Sequence, residues 1–481
     1  MNLNKIFTVA ALTTTMLFTA CSDVIEVEPI FQKDGAQIFT SLDDYQFALT
    51  GSYALLRQVG YFGSGGQTTS TWGNLPDMMA DNLVQTSEDL ANWQPQVDWT
   101  FNTTEDDVDI AWTNAYAVIA QTNLTLRGID AFASQDAARV NRIKGQALAI
   151  RAMVHFDLLR FWGEDYDRNS TKKGVPYITE VNIDLKPARL NVKETWDKIF
   201  VDMLAAETAL ASVTGLNTAS NKSNLDINAV RGLLARMYLY AKDYVRAESY
   251  ATQVITAVPL ASRTNFPSIW KDASASEVVW AVAFNAGEGS PATGVYAGAN
   301  NRNRYRPEPA LEATFDQTND VRFASYFASS IRSGVSRRIL TKFLGRLTAV
   351  DNLVNWKALR TGEMYLIRAE ARVLQGGAKI ATGLADLNDL RAARISGYVP
   401  VNLIGQALLD EIALERRKEL VGEGHRWFDL KRTTKTIART AGISSTSFNL
   451  APTSKYWTWP VPQDEIDANP AMAGQQTELW Q

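Results

Sequence analysis

Apolar residues recur at intervals of three and four along most of the chain, a spacing that predicts helices. Ser41-Leu42-Asp43-Asp44-Tyr45 has the form of an N-cap and an acidic first turn, opening a helix to about Arg57. Thr103-Thr104-Glu105-Asp106-Asp107 opens a second, on which Trp112, Tyr116, Ile119, Asn123 and Leu126 recur. Further amphipathic stretches cover 136–162, 193–213, 228–258, 363–375, 382–393 and 406–421. Period-two patterning is rare; Glu277-Val278-Val279-Trp280-Ala281-Val282-Ala283 is its clearest instance and predicts a strand.

The segment 228–259 folds back on itself in pattern. Leu234, Ala235 and Tyr238 place a large, a small and an aromatic residue on one helix. Asp243-Tyr244 makes a turn, Ala247, Ala251 and Val254 give the next helix a small-residue face, and Pro259 ends it. The small residues let two helices cross closely. This resembles a tetratricopeptide (TPR) unit. Weaker hairpins start near 145, 364 and 409. No Pro/Gly/Ser-rich linker divides 36–481, which predicts one domain there. The predicted fold class is mainly α: a TPR-like helical hairpin scaffold with large irregular loop inserts and few short strands.

Residues 1–20 read differently. Lys5 precedes an apolar stretch from Ile6 to Ala20 that is too short to span a bilayer core of roughly 30 Å. It has the size of a secretory signal and ends in Leu17-Phe18-Thr19-Ala20-Cys21. That ending resembles a bacterial lipobox, in which the cysteine is lipidated. Residues 21–35 then form a tether, with acidic residues soon after the cysteine that resemble a surface-export signal.

Composition narrows the chemistry. The chain has 481 residues, one cysteine (Cys21), two histidines (His155 and His425) and a formal charge of −4. An intrachain disulfide is impossible, Cys- or His-rich zinc sites are excluded, and there is no basic footprint for nucleic acid. No cofactor or metal is expected. The acidic run 105–109 lacks the spacing and glycine of an EF-hand loop and reads as a charged helix N-terminus. The glycine-rich 60–66 lacks the Lys-Ser/Thr of a phosphate loop. Thirteen Trp, 16 Tyr and 19 Phe supply aromatic surface for both core and ligand.

Three segments carry a family resemblance. Ala147-Leu148-Ala149-Ile150-Arg151-Ala152-Met153-Val154-His155-Phe156 leads to Phe161-Trp162-Gly163. Glu415-Arg416-Arg417-Lys418-Glu419-Leu420-Val421-Gly422-Glu423-Gly424-His425-Arg426-Trp427-Phe428-Asp429-Leu430 is the longest. Trp459-Pro460-Val461-Pro462-Gln463-Asp464-Glu465-Ile466 closes the set, followed by a tail, 471–476, that departs from the family pattern. Together they resemble the SusD/RagB family of outer-membrane nutrient-binding lipoproteins.

The resemblance implies a single SusD-like domain over 36–481, lipidation of Cys21 and an outer-membrane, outward-facing location. It further implies a nutrient ligand, an oligosaccharide before a peptide, passed to a SusC-like TonB-dependent transporter. No catalysis is implied. The rivals are a peptide-binding lid, a lipid-anchored hydrolase and a TPR assembly scaffold.

Glu415 and Glu419, four apart on a charged helix, read as a solvated face rather than a catalytic pair. Trp427 and Phe428 read as core, as do Trp112, Trp162 and Trp196, and both histidines read as structural.

A sugar site needs aromatic faces for pyranose C–H surfaces and polar groups for hydroxyls, held on loops. Two segments fit. The first, 70–95, carries Trp72, Asn74, Asp77, Asn92, Trp93 and Gln94. The second, 287–306, carries Tyr296, Asn300, Asn301, Arg302, Arg304 and Tyr305. Trp72 reads equally as core. Trp93, between Asn92 and Gln94, and Tyr296, between glycines, read as exposed. The glycan-binding candidates are Trp72, Asn74, Asp77, Trp93, Tyr296, Asn301, Arg302, Arg304 and Tyr305.

Overall fold

A computed structural model describes residues 39–65, 70–89, 93–440 and 447–481. The signal, the tether, Cys21 and Asn92 lie outside the described residues. Ser41 starts helix α1 (Leu42–Leu56) as its pattern requires. Its hydroxyl accepts the Asp44 N–H, and the Asp44 carboxylate accepts the Ser41 N–H at 2.8 Å. Next come α2 (Asp106–Leu126), α3 (Ala133–Trp162) and α4 (Val192–Leu210). Asp136, expected to open the third helix, is instead its one non-helical residue (φ −156°, ψ 87°). The 105–109 acidic run does start α2.

Helices α1 to α4 pack in sequence, each on the next or next but one. Gly145 lets α4 lie against α3: a Cβ there would sit 2.6 Å from Leu210 Cγ. Arg151 of α3 forks onto Asp202 of α4 at 2.6 and 2.7 Å. Helices α5 (Ile227–Tyr240) and α6 (Tyr244–Ala257) form the TPR-like hairpin, with Ala235, Ala247 and Ala251 fully buried between them. Helix α7 (Thr361–Gln375) packs on α6, and α8 (Lys379–Arg394) and α9 (Gly405–Glu419) pack on α7. Helix α10 (Arg426–Arg432) follows α9 after a glycine turn. The fold is mainly α and built of helical hairpins.

The long insert between α6 and α7, with the stretch before α2, holds short strands. They are β1 (Leu83–Gln85), β2 (Val278–Val282), β3 (Tyr296–Ala297), β4 (Arg302–Asn303), β5 (Tyr305–Pro307), β6 (Phe327–Arg332), β7 (Val335–Leu340) and β8 (Trp356–Arg360). All pair antiparallel: β1 with β5, β2 with β8, β3 with β4, β6 with β7. Only β2 was expected. β1, β3, β4 and β5, of two or three residues, are too short for an alternating pattern to register, whereas β6, β7 and β8 run to five or six.

Trp112, Trp162, Trp196 and Trp427 are core residues, as their helical spacing predicts. So is His155, whose Nδ1 lies 2.8 Å from the Arg151 carbonyl while Nε2 accepts the Ile178 N–H. Burial lowers its pKa to about 3, so the ring is neutral.

The expected solvated face of α9 is wrong. Glu415 and Glu419 have no exposed side-chain surface. Glu419 accepts from Arg322 (3.0 Å), Arg360 (2.8 Å) and Arg394 (2.9 Å), and Arg360 and Arg394 also share Glu277. Burial alone would neutralise Glu419, but Arg394, Arg360 and Arg322 hold its carboxyl well below the usual range. The cluster ties α8, α9, the start of β2 and the end of β8 into one knot. A charged helix face looks solvated in sequence because the cations that bury it come from distant segments.

Candidate functional site

The two candidate segments meet. Strand β1 in the first pairs with β5 in the second, placing Gln85 opposite Tyr305. Trp93 lies against Tyr305, ring centroids 6.4 Å apart, and the Arg304 guanidinium stands 5.9 Å from the Trp93 ring. Most of the predicted residues, however, are not at a surface.

Trp72 is buried against Tyr61, with centroids 4.4 Å apart. Asp77 accepts the Gly422 and Gly424 N–H groups at 2.9 and 2.8 Å, and Asn74 donates to the Gly422 carbonyl at 2.9 Å. The turn after α9 runs through two positive-φ glycines and leaves these groups inside the protein, where only buried polar side chains can satisfy them. Asn74 and Asp77 serve that turn. Burial raises the Asp77 pKa to about 6 against the donors that favour its charge.

Trp93 and Tyr296 were expected to be exposed and are not: their relative exposures are 4% and 7%. Trp93 closes the wall behind β5. The Tyr296 hydroxyl donates to Asn301 Oδ1 at 2.8 Å. Tyr305 is also fully buried. The polar residues beside these rings look like a loop in sequence, but strand pairing folds the rings inward. Among the described residues, the large aromatics left exposed are Phe47 and Phe448.

What the segments do build is a cleft of about 700 Å³. One wall is Thr86, Ser87 and Glu88 after β1. Arg302, Asn303 and Arg306 form the back. The β6–β7 hairpin, with Arg332, Val335, Arg337 and Arg338, closes the other side. Asn301 fastens hairpin to insert: it donates to the Ile331 carbonyl at 2.9 Å and accepts from Ser330 and Arg337.

Glu88 binds both Arg332 (2.7 Å) and Arg337, and accepts the Asn303 N–H at 3.0 Å. Partial burial works against its charge, but these donors hold its pKa below the ordinary value. Arg338 pairs with Glu312 at 2.8 Å. Arg302 and Arg306 make no ion pair among the described residues.

Of the predicted residues, Arg302 lines the cleft, Asn301 positions its hairpin, and Arg304, Tyr305 and Trp93 stand behind it. Arg306, Arg332, Arg337, Arg338 and Glu88 were missed. The signal for the hairpin was present in Ser329-Ser330-Ile331-Arg332-Ser333-Gly334-Val335-Ser336-Arg337-Arg338, a Ser-Gly turn between alternating strands.

A second cavity, about 580 Å³, opens between α7, α9 and α10. Several of its charges are paired: Arg416 with Asp429, Arg432 with Glu370, and Arg426 with Asp81.

A family model of SusD-like proteins, described as "starch-binding associating with outer membrane", matches residues 54–239, and a "SusD family" model matches residues 345–480. The chain belongs to the SusD/RagB family. A SusD superfamily protein of Bacteroides thetaiotaomicron is 26% identical, with a TM-score of 0.79 over 90% of this chain and 98% of its own. A SusD-like carbohydrate binding protein of Bacteroides vulgatus shares the fold at 22% identity and a TM-score of 0.77, over 90% of this chain and 97% of its own. SusD-like protein P38 of Formosa agariphila is 24% identical over 88% of this chain and 90% of its own length.

Within this SusD-family chain, the long signature around Glu415–Leu430 is the ion knot and glycine turn, a structural element. The five arginines of the cleft fall between the two matched segments.

Proposed function

We propose that the protein is an outer-membrane surface lipoprotein that captures an oligosaccharide non-covalently and delivers it to a SusC-like TonB-dependent transporter. The carrying observation is the cleft, where an insert loop and a hairpin present polar side chains on a rigid helical scaffold. Family membership supports the reading. So does the similarity in fold to the SusD-like carbohydrate binding protein of Bacteroides vulgatus. Cys21 is the proposed lipid attachment, and one cysteine carrying more than one acyl chain is enough for stable anchoring. Arg302 is the predicted contact residue that reaches the ligand; Asn301, Arg304, Tyr305, Trp93 and Tyr296 hold its surroundings. Trp72, Asn74 and Asp77 have no part in it.

The test is a binding screen of the full chain, in detergent, against polysaccharide and peptide panels. Binding to at least one glycan is expected. Binding to peptides and to no glycan would overturn the assignment. Radiolabelled fatty acid should enter the wild-type protein and not Cys21→Ser, and a TonB-dependent transporter should co-purify from the native membrane.

A further inference from the structure

We infer that the ligand of the cleft is an anionic saccharide, carrying carboxylate or sulfate groups along its chain. This rests on the glycan-capture reading above. Neutral sugars are held chiefly by stacking on exposed aromatic faces. The rings the sequence offered for that purpose, Trp72, Trp93, Tyr296 and Tyr305, are all buried, and among the described residues no aromatic lines the cleft.

What lines it is charge. Arg302, Arg306, Arg332, Arg337 and Arg338 face it, against Glu88 alone among its lining residues. Glu88 is shared by two of the five and Glu312 takes a third, while Arg302 and Arg306 make no ion pair among the described residues. This concentration of cation sits on a chain whose formal charge is −4, so it is a local feature and not a reflection of composition.

Guanidinium forks match the planar two-oxygen edge of a carboxylate and the oxygens of a sulfate ester. The Glu88 carboxylate, gripped by Arg332 and Arg337, shows that the cleft already binds such a group. The walls also restrict what the ligand can be. Val335, at the hairpin tip, lines the cleft beside the arginines and is 61% exposed. It provides apolar surface for the C–H face of a sugar ring between charged substituents.

The experiment uses the full chain in detergent with five probes: polygalacturonate, dextran sulfate, dextran, amylose and polyglutamate. Polygalacturonate or dextran sulfate should bind at least about 10-fold more tightly than the neutral glycans, and the preferred one tells carboxylate from sulfate. Raising NaCl from 0.05 to 0.5 M should weaken that binding about 10-fold or more. Arg302→Ala with Arg306→Ala should weaken it about 10- to 100-fold. The Lys pair should restore only part, because the charge returns without the fork. Neither arginine carries an ion pair among the described residues, so the melting temperature should hold and separate lost contact from lost fold.

A neutral glycan bound best, unaffected by salt or by these substitutions, would overturn the inference while leaving glycan capture standing. Polyglutamate bound as tightly as the anionic glycans would overturn it too, by showing a surface that reads charge alone. Binding of polyglutamate with no glycan bound would overturn both.

Discussion

The Arg394 guanidinium stands 2.9 Å from the Glu419 carboxylate, and neither side chain is exposed to water. The pair sits inside a knot with Arg322, Arg360 and Glu277. Removing one member leaves the others charged and buried. Glu419→Gln should therefore cost about 3–5 kcal/mol, read as a lower urea midpoint. A loss below about 1 kcal/mol would show that the knot is dispensable.

Acid should unfold the protein through the same groups. Burial works against the charge of Glu415, but Arg322, Lys418 and Arg391 bring its pKa from 4.5 to about 2. Arg416 and Arg432 likewise bring buried Asp429 from 3.8 to about 2. Each folded pKa lies below its unfolded value. Their contribution is complete above about pH 4.5 and is lost as pH falls toward 2. Asp77 works with opposite sign: its folded pKa of about 6 exceeds 3.8, so its contribution is complete below about pH 4 and is lost as pH rises through 6. Thermal melts across pH 2–7 should peak near pH 4–5, and Glu415→Gln should flatten the acid limb. A melting temperature constant from pH 5 to 2 would contradict this.

Trp72→Ala should act on stability and not on ligand. The ring is 2% exposed and packs on Tyr61 and Phe161. A loss of about 3–5 kcal/mol is expected. Isothermal titration below the melting temperature should return the wild-type affinity. A tenfold weaker affinity in a folded variant would return Trp72 to the site.

Gly424→Ala should be among the most damaging small substitutions. The residue has φ +81°, and a Cβ there would fall 2.4 Å from the Gly73 carbonyl oxygen and 2.5 Å from that of Trp72. The clash is with backbone, which cannot swing aside. A left-handed conformation costs roughly 1–2 kcal/mol before any clash. Soluble yield and melting temperature should both drop.

Glu88→Ala should free the β6–β7 hairpin without unfolding the scaffold. Arg332 and Arg337 lose their shared carboxylate, while the Asn301 contacts remain. Amide exchange should quicken within 327–340 and stay unchanged in α3 and α5, since opening there is local. Uniform faster exchange would refute it.

The helices were legible because burial of one helix face is written at a spacing of three to four residues. Ser41, Ala247 and Trp162 each act as that pattern predicts. Strands β1, β3, β4 and β5 were not, since two or three residues give no alternation to read. The segments 70–95 and 287–306, singled out in the sequence, do meet through β1 and β5, and Arg302 lines the cleft beside them.

By itself the sequence determined the helical hairpins, the core tryptophans and the impossibility of an intrachain disulfide, because these follow from local periodicity and residue type. Only the tertiary structure decided which charges are buried and which aromatics are exposed. Glu419 is buried by arginines 25, 59 and 97 residues away, and Trp93 is covered by a strand beginning at Tyr305. Neither a charge nor a ring carries in its neighbours any record of what a distant segment will lay against it. The arginine cleft is of the same kind: its charges come from separate short strands, and their field exists only where the fold sums them.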